Sequence, residues 1–174
     1  MNLALDEDQR IKLGSLGACE AVVTAFLRWC GTGPEVAKTG CNAVRVLAAA
    51  DVNRVKLGNL GACKAVVEAL QQYGATYDEV AHAGCGALGN LAADPALSVE
   101  LSSFGACEAV VEVLRSWGDS EEGVANAGCD AVWNLAAENA VNTAKLEALG
   151  IRAALLATLP SEWRDELLAK VFPV

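Results

Sequence analysis

The fold is decided by residues 61–93, which read GACKAVVEALQQYGATYDEVAHAGCGALGNLAA. In the first part of this stretch, apolar residues recur at steps of three and four, at Cys63, Val66, Val67 and Leu70. This spacing places them on one face of a helix, whereas a half-buried strand would show alternation. Gly74 is predicted to end the helix. The stretch therefore begins with one amphipathic helix.

A second helix is predicted to start near Asp78, whose side chain can cap it, with Glu79 in its first turn. Its inward positions share small or aliphatic side chains at helical spacing: Val80, Ala83, Gly84, Ala87, Leu88 and Leu91. Asp94 and Pro95 are predicted to end it. The segment 53–60 has the pattern of one or two helical turns. One short and two longer helices are therefore predicted for the unit.

This unit recurs with a period of 44 residues. Residues 53–96 are identical to residues 9–52 at 22 of 44 positions, and residues 97–140 match residues 53–96 at 22 positions again. A period of this length without strand signals indicates stacked helices. The predicted organisation is one all-α solenoid, with the tail of a preceding repeat over 1–8, full repeats over 9–52, 53–96 and 97–140, and a divergent capping repeat over 141–174.

Three glycines, Gly40, Gly84 and Gly128, occupy equivalent inward positions beside a cysteine. We predict that they let helices of adjacent copies approach closely. Glycine within a helix costs about 1 kcal/mol relative to alanine, and burial of each repeated valine offsets this cost with roughly 1.5 to 3 kcal/mol. No copy can bury its apolar face alone, so stacking is predicted to hold the array together.

The segments ALGNLA (87–92) and AVWNLA (131–136) resemble the third helix of an armadillo repeat, and GACKAVVEAL (61–70) is similar to the second helix. The resemblance implies a right-handed alpha-alpha superhelix of the armadillo type. In that family the third helices line a concave groove that binds extended peptides. The HEAT repeat, which has two helices and a kink, is the alternative fold.

Members of the armadillo family carry an asparagine on the third helix that bonds the backbone of a bound peptide. Asn90 and Asn134 match it, while the first copy has Val46. In some members a tryptophan four residues earlier forms side-chain pockets. The equivalent positions here hold Asn42, Gly86 and Asp130. The resemblance therefore does not extend to recognition of basic nuclear signals.

Helical spacing predicts which side chains face that groove. The predicted stripe consists of Lys38, Asn42 and Arg45 in the first copy, His82, Gly86, Gly89 and Asn90 in the second, and Asn126, Asp130, Trp133 and Asn134 in the third. These positions differ most between copies. Such variation is typical of a binding surface, although drift of unconstrained positions gives the same pattern. We predict a non-catalytic scaffold that binds an extended or helical segment of a partner protein in the groove.

For some residues of the stripe, a structural role is the alternative to ligand binding. Trp133 is the sharpest candidate anchor, because aromatic residues are common at interfaces, but it can instead pack against a neighbouring helix. His82 is interpreted as a solvated polar residue. The two asparagines, Asn90 and Asn134, can instead satisfy backbone groups of the next copy.

Composition bears on the class of partner. The formal net charge of −9, from 22 acidic and 13 basic side chains, disfavours nucleic acid and anionic membranes as partners. The acidic start of the chain does not have the features of a secretory signal, and the uncharged stretch 80–93 is too short to span a bilayer. We predict a protein or peptide partner in the cytoplasm, with the nucleus as the alternative.

Six of the seven cysteines follow the repeat, at Cys19, Cys63 and Cys107 and at Cys41, Cys85 and Cys129, and Cys30 stands outside it. There is no CxxC motif and a single histidine, so buried reduced thiols are predicted rather than a metal site or disulfides. The turn at 31–33 lacks the lysine of a phosphate loop. No cofactor is predicted, and catalysis is the weakest hypothesis.

The two ends of the array differ from its middle. In the fourth copy Gly150 aligns with Gly105, Arg152 takes the place of the repeated cysteine, and a helix over 163–172 is predicted to cap the array.

At the other end, residues 2–4 match residues 90–92 at twice the period, which indicates a start inside a repeat. The apolar face of Leu13, Leu16 and Val22 then has no partner within the chain. The alternative function is a structural subunit or C-terminal fragment of a larger array, which associates with itself or with an assembly through this N-terminal face.

Overall fold

The computed structural model describes residues 6–158, 168, 169 and 171. In that part of the chain there are eleven α-helices and no strand. The helices are α1 (Glu7–Ser15), α2 (Ala18–Trp29), α3 (Pro34–Ala48), α4 (Asp51–Asn59), α5 (Ala62–Ala69), α6 (Asp78–Ala92), α7 (Pro95–Ser103), α8 (Ala106–Trp117), α9 (Glu122–Ala136), α10 (Ala140–Ala148) and α11 (Ile151–Thr158). The predicted all-α architecture is confirmed.

The helices follow the predicted unit of one short and two longer elements. The short helices α1, α4, α7 and α10 each precede the second helix of their copy, which is α2, α5, α8 or α11, and α3, α6 and α9 are the third helices of the three full copies. A 3₁₀ turn (Cys30–Thr32) follows α2, and a π-helical turn (Leu70–Gly74) follows α5 and ends at the predicted glycine. The expectations for residues 2–4 lie outside the described residues, as does most of the predicted cap. Of that cap, Val171 is buried and Leu168 packs against the core.

Each GAC motif begins with a glycine in the left-handed region. The φ angles are +91° at Gly17, +94° at Gly61, +96° at Gly105 and +76° at Gly150. An L side chain adopts this conformation at a cost, whereas glycine adopts it freely. The repeated glycine thus lets the chain turn sharply from the short helix into the second helix of every copy.

Two details of the helix ends differ from the prediction. Asp78 is the first residue of α6, with Tyr77 at the N-cap position, and no side chain caps this end. Asp94 does not end α6 but caps α7, because its Oδ1 accepts hydrogen bonds from the backbone N–H groups of Ala96 (2.9 Å) and Leu97 (3.0 Å). Pro95 then fits the first helical turn, where its missing N–H is not needed.

The core lies between the layer of second helices and the layer of third helices. The inward residues predicted for α6 are all buried, and so are the seven cysteines. The third helices pack side by side, with α6 between α3 and α9. This layer forms the surface on which the predicted stripe lies.

The prediction for the three equivalent glycines was wrong about their neighbours. An added Cβ at Gly84 would lie 2.5 Å from Leu70 Cδ2, and one at Gly128 would lie 2.7 Å from Leu114 Cδ2. At Gly40 the obstacle is the ring of Phe26. In each case the obstructing side chain comes from the second helix, or the turn after it, of the same copy. These glycines therefore allow close packing of helices within a copy, not between copies.

Two of the joints between copies share one arrangement. Lys56 Nζ donates to the backbone oxygen of Gly14 (2.9 Å) and pairs with Glu20 (2.8 Å). At the joint between the third and fourth copies, Lys145 Nζ does the same with the oxygen of Ser102 (3.1 Å) and with Glu108 (3.0 Å). In both, a cation lies at the C-terminal end of the preceding short helix, where the helix dipole favours positive charge.

Buried polar side chains add further bonds to these joints. Asn53 Nδ2 donates to the backbone oxygen of Arg10 at 2.7 Å, across the first joint. Asn142 Nδ2 donates to the oxygen of Leu135 at 2.9 Å and to Ser98 Oγ at 3.2 Å. Because buried polar groups are costly when unpaired, these bonds favour one register of stacking.

No single helix among the described residues is long and apolar enough to cross a membrane. The helices Glu7–Ser15 and Ala18–Thr32 meet the length and composition of a span only when taken as a pair, and they are bent by 73°.

Candidate functional site

A cavity of about 520 Å³ opens on the layer of third helices. It is lined by Arg45, His82, Gly86, Gly89, Asn90, Gly123, Asn126, Ala127, Asp130, Trp133 and Asn134. Nine of these belong to the predicted stripe. We call this lined surface the groove.

Two predicted residues, Lys38 and Asn42, lie beside the groove and do not line it. Lys38 Nζ pairs with Glu35 (2.7 Å) and with Glu79 of the next copy (2.9 Å), and these hydrogen bonds raise the pKa of the lysine. Asn42 Oδ1 accepts a hydrogen bond from Arg45 Nη2 at 3.1 Å. Both side chains are thus engaged by neighbours within the chain.

Two lining residues, Gly123 and Ala127, are not part of the predicted stripe. Each lies one helical turn before a predicted member of the stripe, Asn126 or Asp130. Extending the predicted stripe by one turn along α9 would therefore have included both residues. Gly123 has no side chain, and the ring of His82 lies 3.8 Å from the point where a Cβ would be. The groove is therefore open at this end of α9.

The second copy forms the floor of the groove. α6 has Gly86 where the neighbouring copies have Asn42 and Asp130. It has Gly89 where they have Arg45 and Trp133. The aliphatic part of Arg45 lies over Gly86, with Cδ 2.4 Å from the site of an added Cβ, and the backbone of Ala131 lies 3.5 Å from the site of an added Cβ at Gly89. At these two positions α6 presents no side chain between Arg45 on α3 and Trp133 on α9.

The two matching asparagines bind backbone within the chain. Asn90 Nδ2 donates to the oxygen of Arg45 at 2.8 Å, and Asn134 Nδ2 donates to the oxygen of Gly89 at 3.0 Å. Each bond runs to the third helix of the preceding copy. The two asparagines therefore do satisfy backbone groups of an adjacent copy, but this is the preceding copy, whereas the prediction named the next one. A side-chain amide has two N–H donors and one acceptor oxygen. These bonds therefore leave capacity for a ligand.

The aromatic and polar side chains of the groove differ in exposure. Trp133 is partly buried and packs against the core while it also lines the groove. The packing alternative therefore occurs, and part of the ring still faces the groove. His82 and Asn126 are exposed. An aromatic ring surrounded by exposed polar groups provides contacts for both the apolar and the polar parts of a ligand.

The groove also contains two charged side chains of opposite sign. Within residues 6–158, Arg45 has no carboxylate within 4.0 Å, and Asp130 forms neither an ion pair nor a hydrogen bond. Partial burial raises the pKa of the Asp130 carboxyl. The Nε–H of Arg45 is buried and meets no acceptor in this part of the chain.

The comparisons with known proteins bear on the fold. No protein-family model matches the sequence, and no curated protein matches it. A designed armadillo repeat protein is similar over 98% of this chain and 70% of its own, with 27% identity and a TM-score of 0.79. A structure described as computationally designed armadillo repeat proteins for modular peptide recognition is similar over 98% and 71%, with 26% identity and a TM-score of 0.80.

A designed armadillo repeat protein in complex with the peptide (KR)4 is similar over 98% of this chain and 71% of its own, with 24% identity and a TM-score of 0.79. The match in three dimensions covers almost the whole chain. This chain is an armadillo-like alpha-solenoid.

Two columns of thiols run through the solenoid, one along the second helices and one along the third helices. All seven cysteines are buried and unbridged. Burial raises the pKa of Cys63, Cys85 and Cys129 to about 12, and it also raises that of Cys41. Across the described ranges, no group of three or more His, Cys, Asp or Glu side chains could hold a metal ion. Protonated thiols of this kind pack as small apolar groups.

Proposed function

We propose that the groove binds an extended or helical segment of a partner protein and that the solenoid acts as a scaffold without catalysis. The observation that carries the proposal is the cavity on α3, α6 and α9, which is lined by the residues that differ most between copies. Concave sites with an aromatic wall and a few polar groups are the preferred places for ligands. The similar designed proteins described as made for modular peptide recognition support the same role.

The test combines selection with a variant that fills the groove. Peptides selected from a displayed library on the immobilised chain would be labelled, and their affinity measured by fluorescence anisotropy. Asn126→Trp, at an exposed lining position, is expected to weaken binding at least tenfold because the indole occupies the cavity. Asn59→Trp, at an exposed position at the end of α4, is the matched control and should change affinity less than twofold.

Equal effects of the two substitutions would place binding outside the groove. Failure to select any peptide would also contradict the proposal. Circular dichroism melts of both variants would separate loss of binding from loss of fold.

A second candidate function is association through the N-terminal end of the array, and it rests on the exposed side chain of Trp29. Tyr73 Oη donates to the backbone oxygen of Gly31 at 3.0 Å, and Trp117 Nε1 donates to that of Gly74 at 2.8 Å. Each aromatic side chain thus docks on the preceding copy and is partly buried. Trp29 is the equivalent residue of the first copy, and 48% of it is exposed. This favours association of the N-terminal face with another repeat of the same type.

Light scattering over a concentration series tests the second candidate. We expect the mean mass to rise with concentration and Trp29→Glu to abolish the rise. Val99→Glu, at an apolar position on α7 that is 61% exposed, is the control and should leave it unchanged. A constant monomer mass up to millimolar concentration would exclude association of the chain with itself.

A further inference from the structure

The groove has an uncompensated charge at each end. Arg45 extends from α3 and Asp130 from α9, and both line the same cavity. A salt bridge between them is absent, since no pair of their charged atoms lies within 4.0 Å. Guanidinium has five N–H donors, and Asn42 accepts from one of them. Each end therefore has unused capacity for a group of opposite charge.

The lysine beside the groove is already neutralised, and the titratable side chain that the second copy contributes to the groove is a histidine. Lys38 is held between Glu35 and Glu79. His82 is exposed at the middle of the groove. The electrostatic character of the groove is thus positive toward the first copy and negative toward the third, with a floor of glycine between.

The distance between the two charges sets a spacing on the ligand. Arg45 reaches from α3 over Gly86 of α6, with its Cδ 2.4 Å from the site of an added Cβ there, so its charge lies close to α6. Helices in direct contact have axes about 8 to 10 Å apart, and α9, which carries Asp130, packs against α6. The two charges are therefore separated by roughly one such distance. An extended chain rises about 3.3 Å per residue and its side chains alternate between faces. Two residues cover about 7 Å and return a side chain to the same face, whereas one or three residues would turn it away.

We propose that the groove selects an extended segment that carries a carboxylate side chain at Arg45 and, two residues away along the segment, a cationic side chain at Asp130. This inference rests on the proposed function, because it specifies the ligand of the same groove. The cation would also lie beside the ring of Trp133, which lines the same end, and aromatic faces attract cations. A uniformly basic segment would meet Arg45 with like charge and is disfavoured.

The experiment uses labelled ten-residue peptides on a neutral Gly, Ser and Gln background. Glu and Lys are placed one, two or three residues apart, in both orders along the chain, and a peptide with Gln at both positions is the control. We expect one order at a spacing of two to bind at least tenfold more tightly than the Gln peptide and than (KR)4 in anisotropy titrations. Spacings of one and three should lose most of this gain.

Charge exchange in the protein then tests the assignment of the two ends. Arg45→Gln and Asp130→Asn are each expected to reduce the preference for the charged peptide at least threefold. The double variant Arg45→Glu with Asp130→Arg should reverse the preferred order of Glu and Lys. If Arg45→Gln unfolds the chain, the exposed Asp130→Asn variant decides the question alone.

The outcomes separate this inference from the proposed function. If the Gln peptide binds as tightly as the charged ones and Asn126→Trp still weakens it, the groove binds peptides and the charge inference is wrong. If the preferred order is unchanged in the double variant, the assignment of the ends is wrong. If no peptide of this set or of the displayed library binds, both proposals fall.

Discussion

At the scale of single residues, two glycines of α6 have different neighbours. Gly84 faces the side chain of Leu70 so closely that a methyl group would displace it, with 2.5 Å to Cδ2 and 2.7 Å to Cγ. A methyl group added at Gly89 would lie 3.5 Å from the backbone of Ala131, which is ordinary contact distance. The first glycine is thus required by packing within its copy, whereas the second leaves space that belongs to the groove.

The same substitution at these two positions is expected to have opposite effects. Gly89→Ala should raise the free energy of unfolding by about 0.5 to 1 kcal/mol, because alanine is the better helix former. Gly84→Ala should lower it by about 1 to 2 kcal/mol, since overpacking costs more than the helix gains. Urea denaturation followed by circular dichroism measures both. Equal stabilisation by the two alanines would show that Leu70 adapts without cost.

The period of the sequence could predict that Gly40, Gly84 and Gly128 share one environment, but not which helix provides it. Equivalent positions have equivalent neighbours whether these come from the same copy or the next one. Only the packing of side chains such as Leu70 decides between the two. The same limit explains why Asn90 and Asn134 were assigned to the wrong neighbouring copy.

At the scale of helices, the joints between copies alternate in charge. Lys56 lies against the first copy and Lys145 against the third, each paired with a glutamate of the second helix there. At the middle joint the charges are exchanged in the sequence, with Glu100 at the lysine position and Lys64 at the glutamate position. Lys64 pairs instead with Glu68 at 3.6 Å, and Gln71 Nε2 bonds the oxygen of Phe104 at 3.1 Å across this joint.

A double-mutant cycle should detect the ion pair of the first joint. With Glu20→Gln and Lys56→Gln we expect a coupling energy of about 0.5 to 1 kcal/mol at low ionic strength, which is typical of a half-exposed pair. It should decrease in 1 M NaCl because salt screens the charges. The cycle with Lys64→Gln and Glu100→Gln is the matched control and is expected to give less than half this coupling. Equal values would contradict the difference between the joints.

The existence and order of the helices could be predicted from apolar spacing, whereas their ends could not. The spacing reports burial along a whole helix, but a cap depends on the backbone angles of one residue. Asp78 and Asp94 have the same side chain, and only Asp94 has the extended backbone from which that side chain reaches the N–H groups of the next turn. The π-helical turn at the end of α5 has no sequence signal.

At the scale of the whole molecule, the thiol columns couple stability to alkaline pH. A thiol that ionises near 9.0 when exposed but near 12 in the fold keeps its proton in the native state. The unfolded state then binds fewer protons above pH 9, so the free energy of unfolding decreases as pH rises from about 9 toward 12. Below pH 9 the stabilising effect of burial is fully present.

The contribution of one thiol can be measured by difference. Wild type and Cys85→Ala would be unfolded in urea at pH 7.5, 9 and 10, with reductant present. The stability advantage of wild type should shrink by about 1 kcal/mol between pH 9 and pH 10, because only wild type has this buried thiol. A difference independent of pH would show that the Cys85 site admits water and hydroxide readily.

The solenoid as a whole was predictable because its period repeats every local signal three times. Nine of the eleven residues of the predicted stripe line one cavity. The cavity itself was not predictable, since it depends on how far Arg45 and Trp133 stand apart once α6 is placed between them. The ion pairs of Lys38, which remove it from the groove, depend on the same placement.

The alternating joints bear on how such an array can grow by gene duplication. A tandem copy of the second repeat alone would put a lysine like Lys64 against one like Lys56, and loss of that repeat would put Glu20 against a residue like Glu100. Duplicating the second and third repeats together, which are 88 residues, puts Glu108 against a lysine like Lys56 and keeps opposite charges at each joint. Duplicating the first and second would instead put Lys64 against a lysine like Lys12. Unequal recombination is therefore expected to lengthen or shorten the array in steps of this pair, so that the second and third repeats are inherited together.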